Sequence, residues 1–157
     1  MDIEIIQYEP IHALDIFERN IKENDAQLSR YPNWDETVKG WKLHGPAFTL
    51  VVDDQIVGCA GVTLNKHIGE AWTLFSSLFY KHSRLVYKTI KEYLNNIAKE
   101  HQLKRIQAYV DPIRSLEVCD RFLIHLGFKL ETPDGLENFG PVGQTLYLYG
   151  RTYKWIQ

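Results

Sequence analysis

A chain of 157 residues and 18.4 kDa is the size of one domain and long enough to bury a core without metal or disulfide staples. With 45% hydrophobic and 24% charged residues the composition excludes intrinsic disorder, and a formal charge of −2 excludes bulk electrostatic capture of nucleic acid or anionic membrane. Cys59 and Cys119 stand far apart in apolar runs and the histidines are scattered, which points to free buried thiols, a reducing compartment and no metal site. Met1-Asp2-Ile3-Glu4 does not read as a signal peptide, and the longest apolar run, 56–64, is too short to span a bilayer. A soluble cytoplasmic protein is expected.

Taken in chain order, Ile3-Glu4-Ile5 alternates as a strand that ends before Pro10. Leu14, Phe17 and Ile21 recur at three and four residues, the spacing of a helix face. Val38 and Trp41 predict another helix from about Asp35, stopped at Gly45-Pro46. Residues 48–52 and 55–64 are β-rich runs around Asp53-Asp54, a hairpin signal, and 70–75 is a third β run. Val86, Ile90, Tyr93, Leu94 and Ile97 then form an apolar stripe of about three turns.

Residues 106–110 predict a strand that enters Asp111-Pro112, where Asp suits a helix N-cap and Pro its first turn. The next helix buries Val118, Phe122 and Leu126, with Cys119 and Leu123, and Gly127 caps it. Residues 128–131 and 145–149 finish the chain as two strands. This order predicts one α+β domain over residues 1–157, three layers around a mixed sheet.

Charge is distributed unevenly. Residues 1–54 carry eleven acids against five bases, whereas Lys81, Arg84, Lys88, Lys91, Lys99, Lys104 and Arg105 face only Glu92 and Glu100 between 79 and 105. Ser83 and Arg84 open the striped helix, where free amides and the positive dipole end favour an anion. Three readings stay open here: a phosphate site built with Lys81 and His82, a solvated basic face, or a DNA-binding surface, the last disfavoured by the short stripe and the acidic remainder of the chain.

These elements and motifs resemble the GNAT superfamily of acyl-CoA-dependent N-acyltransferases over nearly the whole chain. The likeness rests on the hairpin at 48–64, the strand at 70–75 with the helix after it, and Phe122-Leu123-Ile124-His125-Leu126-Gly127-Phe128 with its Leu-Gly-Phe ending. More narrowly, Gly69-Glu70-Ala71-Trp72-Thr73-Leu74, Lys81-His82-Ser83-Arg84 and Phe139-Gly140-Pro141-Val142-Gly143 are similar to GNAT-like proteins encoded by phages.

The resemblance implies an α/β/α sandwich whose mostly antiparallel sheet splays between strands 4 and 5. It also implies acetyl-CoA as co-substrate, held by the backbone of Leu74, Phe75 and Ser76. The pyrophosphate would rest on Lys81, His82, Ser83, Arg84 and Leu85. Glu70 stands where some members place the general base, and the partner is a small-molecule or peptide amine. The superfamily's small residues in the pyrophosphate loop correspond to Arg84 and Val86 here, and its usual Tyr acid corresponds to Leu123. Those departures leave a second reading open, an inactive GNAT-like phage structural or host-interaction protein. A third is a modifier of nucleic-acid bases. Tyr109, Tyr147, Tyr149, Asp111 and the four tryptophans have ordinary structural roles available to them, and no residue pattern names the acceptor or an oligomeric state, monomer or homodimer.

Overall fold

Asp53 and Asp54 adopt positive φ, 49° and 63°, a type I′ turn whose twist matches paired strands, and so join β2 (Ala47–Val52) to β3 (Gln55–Asn65). The computed structural model describes residues 1–19, 33–112 and 116–155. Around this hairpin, β1 (Ile3–Gln7), β4 (Ile68–Phe75), β5 (Arg105–Val110), β6 (Lys129–Leu130) and β7 (Tyr147–Thr152) complete a sheet of order β1-β2-β3-β4-β5-β7-β6. Among the described residues only β4 and β5 run parallel; the other neighbouring strands are antiparallel. The expected α+β arrangement around a mixed, mostly antiparallel sheet is the one observed.

Helices cover both faces. α3 (Ser83–Glu100) and α4 (Leu116–His125) pack on one, over a core that includes Leu50, Val62, Ile106 and Phe128. Val86, Ile90, Leu94 and Ile97 form the buried stripe of α3, as their spacing predicts, while Lys81, Arg84, Lys88 and Lys91 are exposed. On the other face, α1 (Pro10–Arg19) and α2 (Trp34–Leu43) enclose a smaller cluster of Tyr8, Ala13, Ile16, Val38, Cys59 and Leu74. The buried face of α1 is therefore Ala13, Ile16 and Phe17 rather than Leu14, Phe17 and Ile21. The same spacing is rotated by one residue, Leu14 is half-buried, and Ile21 lies outside the described residues.

At the end of α4, Gly127 takes φ 91° and Phe128 donates its N–H to the Leu123 carbonyl, the left-handed cap that Leu-Gly-Phe predicts. The helix start expected at Asp111-Pro112 abuts residues 113–115, outside the description, as is the side chain of Val118. The last strand begins and ends later than its residue pattern suggests, because Gly150, Arg151 and Thr152 continue the ladder against Gln107, Ile106 and Arg105. The aromatic tail folds onto its own chain. Trp155 donates from Nε1 to the Leu103 carbonyl at 2.9 Å, and Tyr153 donates its backbone N–H to Lys104.

Candidate active site

β4 and β5 pair only through Ile68–Arg105, Gly69–Ile106 and Glu70–Gln107, then separate while each continues. Hydrogen-bond phase decides which groups the gap receives. Ser76 donates its N–H to Val57 and Val62 donates to Pro46, so Trp72, Leu74 and Ser76 direct their backbone polar groups to β3. Thr73 and Phe75 lie in the opposite phase and turn theirs toward β5. Across the gap, Tyr153 donates to Lys104, which sets Tyr109 to present its N–H and C=O toward β4.

Of the three backbones expected to line the gap, Phe75 thus faces it, while Leu74 and Ser76 are turned to β3. Ser76 is occupied further: its hydroxyl donates to Ile56 at 2.9 Å, its Oγ accepts from the Leu78 N–H, and its carbonyl accepts from Phe79. Thr73 and Tyr109 are the gap-lining backbones missed from sequence alone; their signal lies in strand phase, which no residue type encodes.

At the end of the gap, a short 3-10 turn, Ser77–Phe79, leads into α3. The side chain of the N-cap residue, His82, does not cap α3, and the first turn contains no acid. Val86 donates to His82, so the first amides within the helix, those of Ser83, Arg84 and Leu85, have no intrahelical acceptor. Lys81 and Arg84 are exposed beside them and make no ion pair among the described residues. Five of the residues singled out for phosphate contact, Lys81 to Leu85, therefore converge on one helix start with the donors and charge an anion needs. Phe75 stacks on Phe79 at 4.5 Å, and Phe122 of α4 meets their edges at 6.2 and 6.3 Å, so aromatic rings tie β4 and the 3-10 turn to α4.

The opposite face carries the ionisable groups. Glu70 and Gln107 are register partners and share that face with Trp72, Arg105 and Tyr109. Glu70 is open to solvent, yet surrounding protein atoms desolvate its carboxyl enough to raise its pKa. Arg105 donates from Nε to Gln107 at 2.8 Å and grips Glu131 through both terminal nitrogens. The hydrogen bond to Glu131 is the main cause of the raised Arg105 pKa, with further support from the nearby charges of Glu131 and Tyr109. Gly150 leaves room for the pair as it sits, since a Cβ there would push Glu131 Oε1 and the guanidinium aside.

The Tyr109 ring lies 5.3 Å from Phe139. Trp72 stacks on Trp41 at 4.0 Å and 6°, and its buried Nε1–H has no acceptor among the described residues. Trp34 packs separately on Phe17, and Trp155 is remote, so only two of the four tryptophans meet. Asp111 accepts from Gln144 Nε2 at 3.2 Å. A groove of about 480 Å³, lined by Tyr93, Asn96 and Glu100 among others, lies near the β1–β2 edge and includes none of these residues.

No family model matches the sequence, and no curated protein matches it. Solved structures do. An acetyltransferase from Streptococcus agalactiae aligns at TM-score 0.71 and 16% identity over 96% of this chain and 98% of its own. RimL, a ribosomal L7/L12 alpha-N-protein acetyltransferase in complex with coenzyme A, aligns at 0.70 and 12% over 96% and 93%. A GNAT-family acetyltransferase from Streptococcus pneumoniae aligns at 0.68 and 14% over 98% and 100%. The chain has the GNAT acetyltransferase fold. Within the GNAT fold, the parallel β4–β5 pair that parts after three residues is the feature around which the singled-out residues gather.

Proposed function

We propose that this GNAT-fold chain is an N-acyltransferase that uses acetyl-CoA to acetylate an amine of a small molecule or peptide. The observation that carries this reading is the parted β4–β5 pair, with unpaired peptide groups on both banks leading to an uncapped basic helix start. A pantetheine arm has amide groups that can pair with Thr73, Phe75 and Tyr109 as an added strand would. Its pyrophosphate suits the free amides of Ser83, Arg84 and Leu85, with Lys81, His82 and Arg84 supplying charge. Arg84 takes over by charge what close backbone approach achieves where small residues stand. These residues fit the cofactor, whose thioester supplies an activated acetyl group when bound.

Glu70 serves as the base. Its raised pKa keeps the carboxylate basic enough to accept the amine proton, directly or through a water. The resemblance to phage-encoded GNAT-like proteins supports a role in the host cytoplasm, where acetyl-CoA is at hand. No helix among the described residues is long and apolar enough to cross a membrane.

Calorimetric titration with coenzyme A tests the reading, followed by thiol-release assays against polyamines, amino acids and peptides. Micromolar binding is expected, with at least a tenfold loss in Arg84→Glu, which is about 1.4 kcal/mol. No binding at millimolar ligand would overturn the proposal. Binding without turnover across the panel would favour the inactive GNAT-like reading, which draws its support from Leu123, buried in the core where a phenol would otherwise stand.

A further inference from the structure

We propose that Tyr109 is the catalytic acid that protonates the departing thiolate, an inference that rests on the acetyltransferase reading. An alkyl thiol has a pKa of about 8.5, so expulsion of sulfur at neutral pH is helped by a proton donor. Leu123 cannot give one. Among the described residues the other tyrosine hydroxyls are committed or misplaced: Tyr8 donates to the Val38 carbonyl at 2.8 Å, Tyr87 to His125 at 2.9 Å, and Tyr149 to Asp120 at 2.7 Å, while Tyr80 ends the 3-10 turn before α3 and Tyr93 lines the groove near the β1–β2 edge. Tyr147 packs against the core on the α3–α4 face, and the Tyr153 hydroxyl is buried beside the same core.

Tyr109 differs from all of these. It lies on β5 two residues beyond Gln107, the register partner of Glu70, and so about 7 Å further along the strand on the same face. There β4 has already parted from β5, so its backbone borders the gap and its half-buried ring stands at the rim. Its hydroxyl makes no hydrogen bond among the described residues, while Phe139 holds the ring and Arg105 places a permanent positive charge nearby.

The step balances. The amine nitrogen forms the new C–N bond with the thioester carbonyl carbon, and the C–S bond breaks with its electron pair on sulfur. Sulfur takes the Tyr109 hydroxyl proton, Glu70 takes the surplus proton from nitrogen, and solvent then returns one proton to the phenolate and removes one from Glu70. The products are the amide and the free thiol.

The test compares the native chain with Tyr109→Phe, which keeps the ring packed on Phe139. Hydroxylamine is the acceptor probe, with two thioesters: acetyl-CoA and S-acetyl 4-nitrothiophenol, whose thiolate leaves without needing a proton. With acetyl-CoA the variant should lose roughly 10²-fold in kcat, with coenzyme A affinity within twofold of native by calorimetry. With the nitrothiophenyl ester the two proteins should turn over within threefold of each other. Equal losses with both esters, or no loss with acetyl-CoA, would overturn the assignment while leaving the acetyltransferase reading intact. If the native chain neither binds coenzyme A nor consumes acetyl-CoA, the broader reading fails and this inference falls with it.

Discussion

Glu70 carries opposite consequences for stability and for chemistry. Its folded pKa lies above the ordinary 4.5 because neighbouring protein atoms partly desolvate the carboxylate, although the residue stays open to solvent. The native state therefore holds this proton more tightly than the unfolded chain, and stability from this group falls as pH rises from the ordinary value through the folded pKa. At pH 7 the carboxylate is a cost to the fold, so Glu70→Gln should raise the midpoint of thermal unfolding at pH 7 and leave it unchanged well below pH 4.5. The same variant should lower kcat roughly 10²- to 10⁴-fold and abolish the acid limb of the pH–rate profile. A lowered Tm at pH 7 together with unchanged turnover would refute both assignments. Identity and position were readable for this residue; its desolvation was not, because that depends on what β3 and β5 place around it.

Among the elements, α4 shows how a short motif can fix an end without fixing a start. Gly127 is required by its φ of 91°, where a Cβ would be strained, and the Phe128-to-Leu123 hydrogen bond closes the last turn. Gly127→Ala should cost about 1–2 kcal/mol in urea-induced unfolding, with the slope unchanged; a change below a few tenths would show that the cap relaxes. The N-terminal end of α3 is a contrasting case. Its location at Ser83 was predictable from the stripe of Val86, Ile90, Leu94 and Ile97. That the His82 side chain does not cap it, and that Lys81 and Arg84 make no ion pair among the described residues, emerged only in three dimensions. α1 marks the limit of periodicity. A three-and-four spacing is satisfied by two neighbouring stripes, and packing beneath Tyr8 and Cys59 selects Ala13, Ile16 and Phe17.

Across the whole molecule, the sheet is two ladders held together by a brief parallel contact. β1 to β4 form one antiparallel block and β5, β7 and β6 the other, with three residue pairs between them. Amide hydrogen exchange should reveal that seam as an alternation. Thr73, Phe75 and Tyr109 should exchange faster than Trp72, Leu74 and Ser76, and added coenzyme A should slow the first group selectively. Uniform protection along β4 without ligand would mean the strands close over the gap. A selective slowing by ligand would place the pantetheine arm between the ladders.

By themselves, the residues determine the periods, the turns and the caps: the Asp53-Asp54 hairpin, the stripe of α3 and the Leu-Gly-Phe stop each follow from local sterics and burial. Glu70 and the basic helix start are likewise visible in the linear chain. Only tertiary structure decides which backbone groups remain unpaired, because hydrogen-bond phase across β3, β4, β5 and β7 depends on partners distant in sequence. It also decides that Tyr109 joins the face of Glu70 while Tyr149 is bound to Asp120. A side chain's chemistry is local, whereas its freedom to act is set by neighbours that folding brings to it.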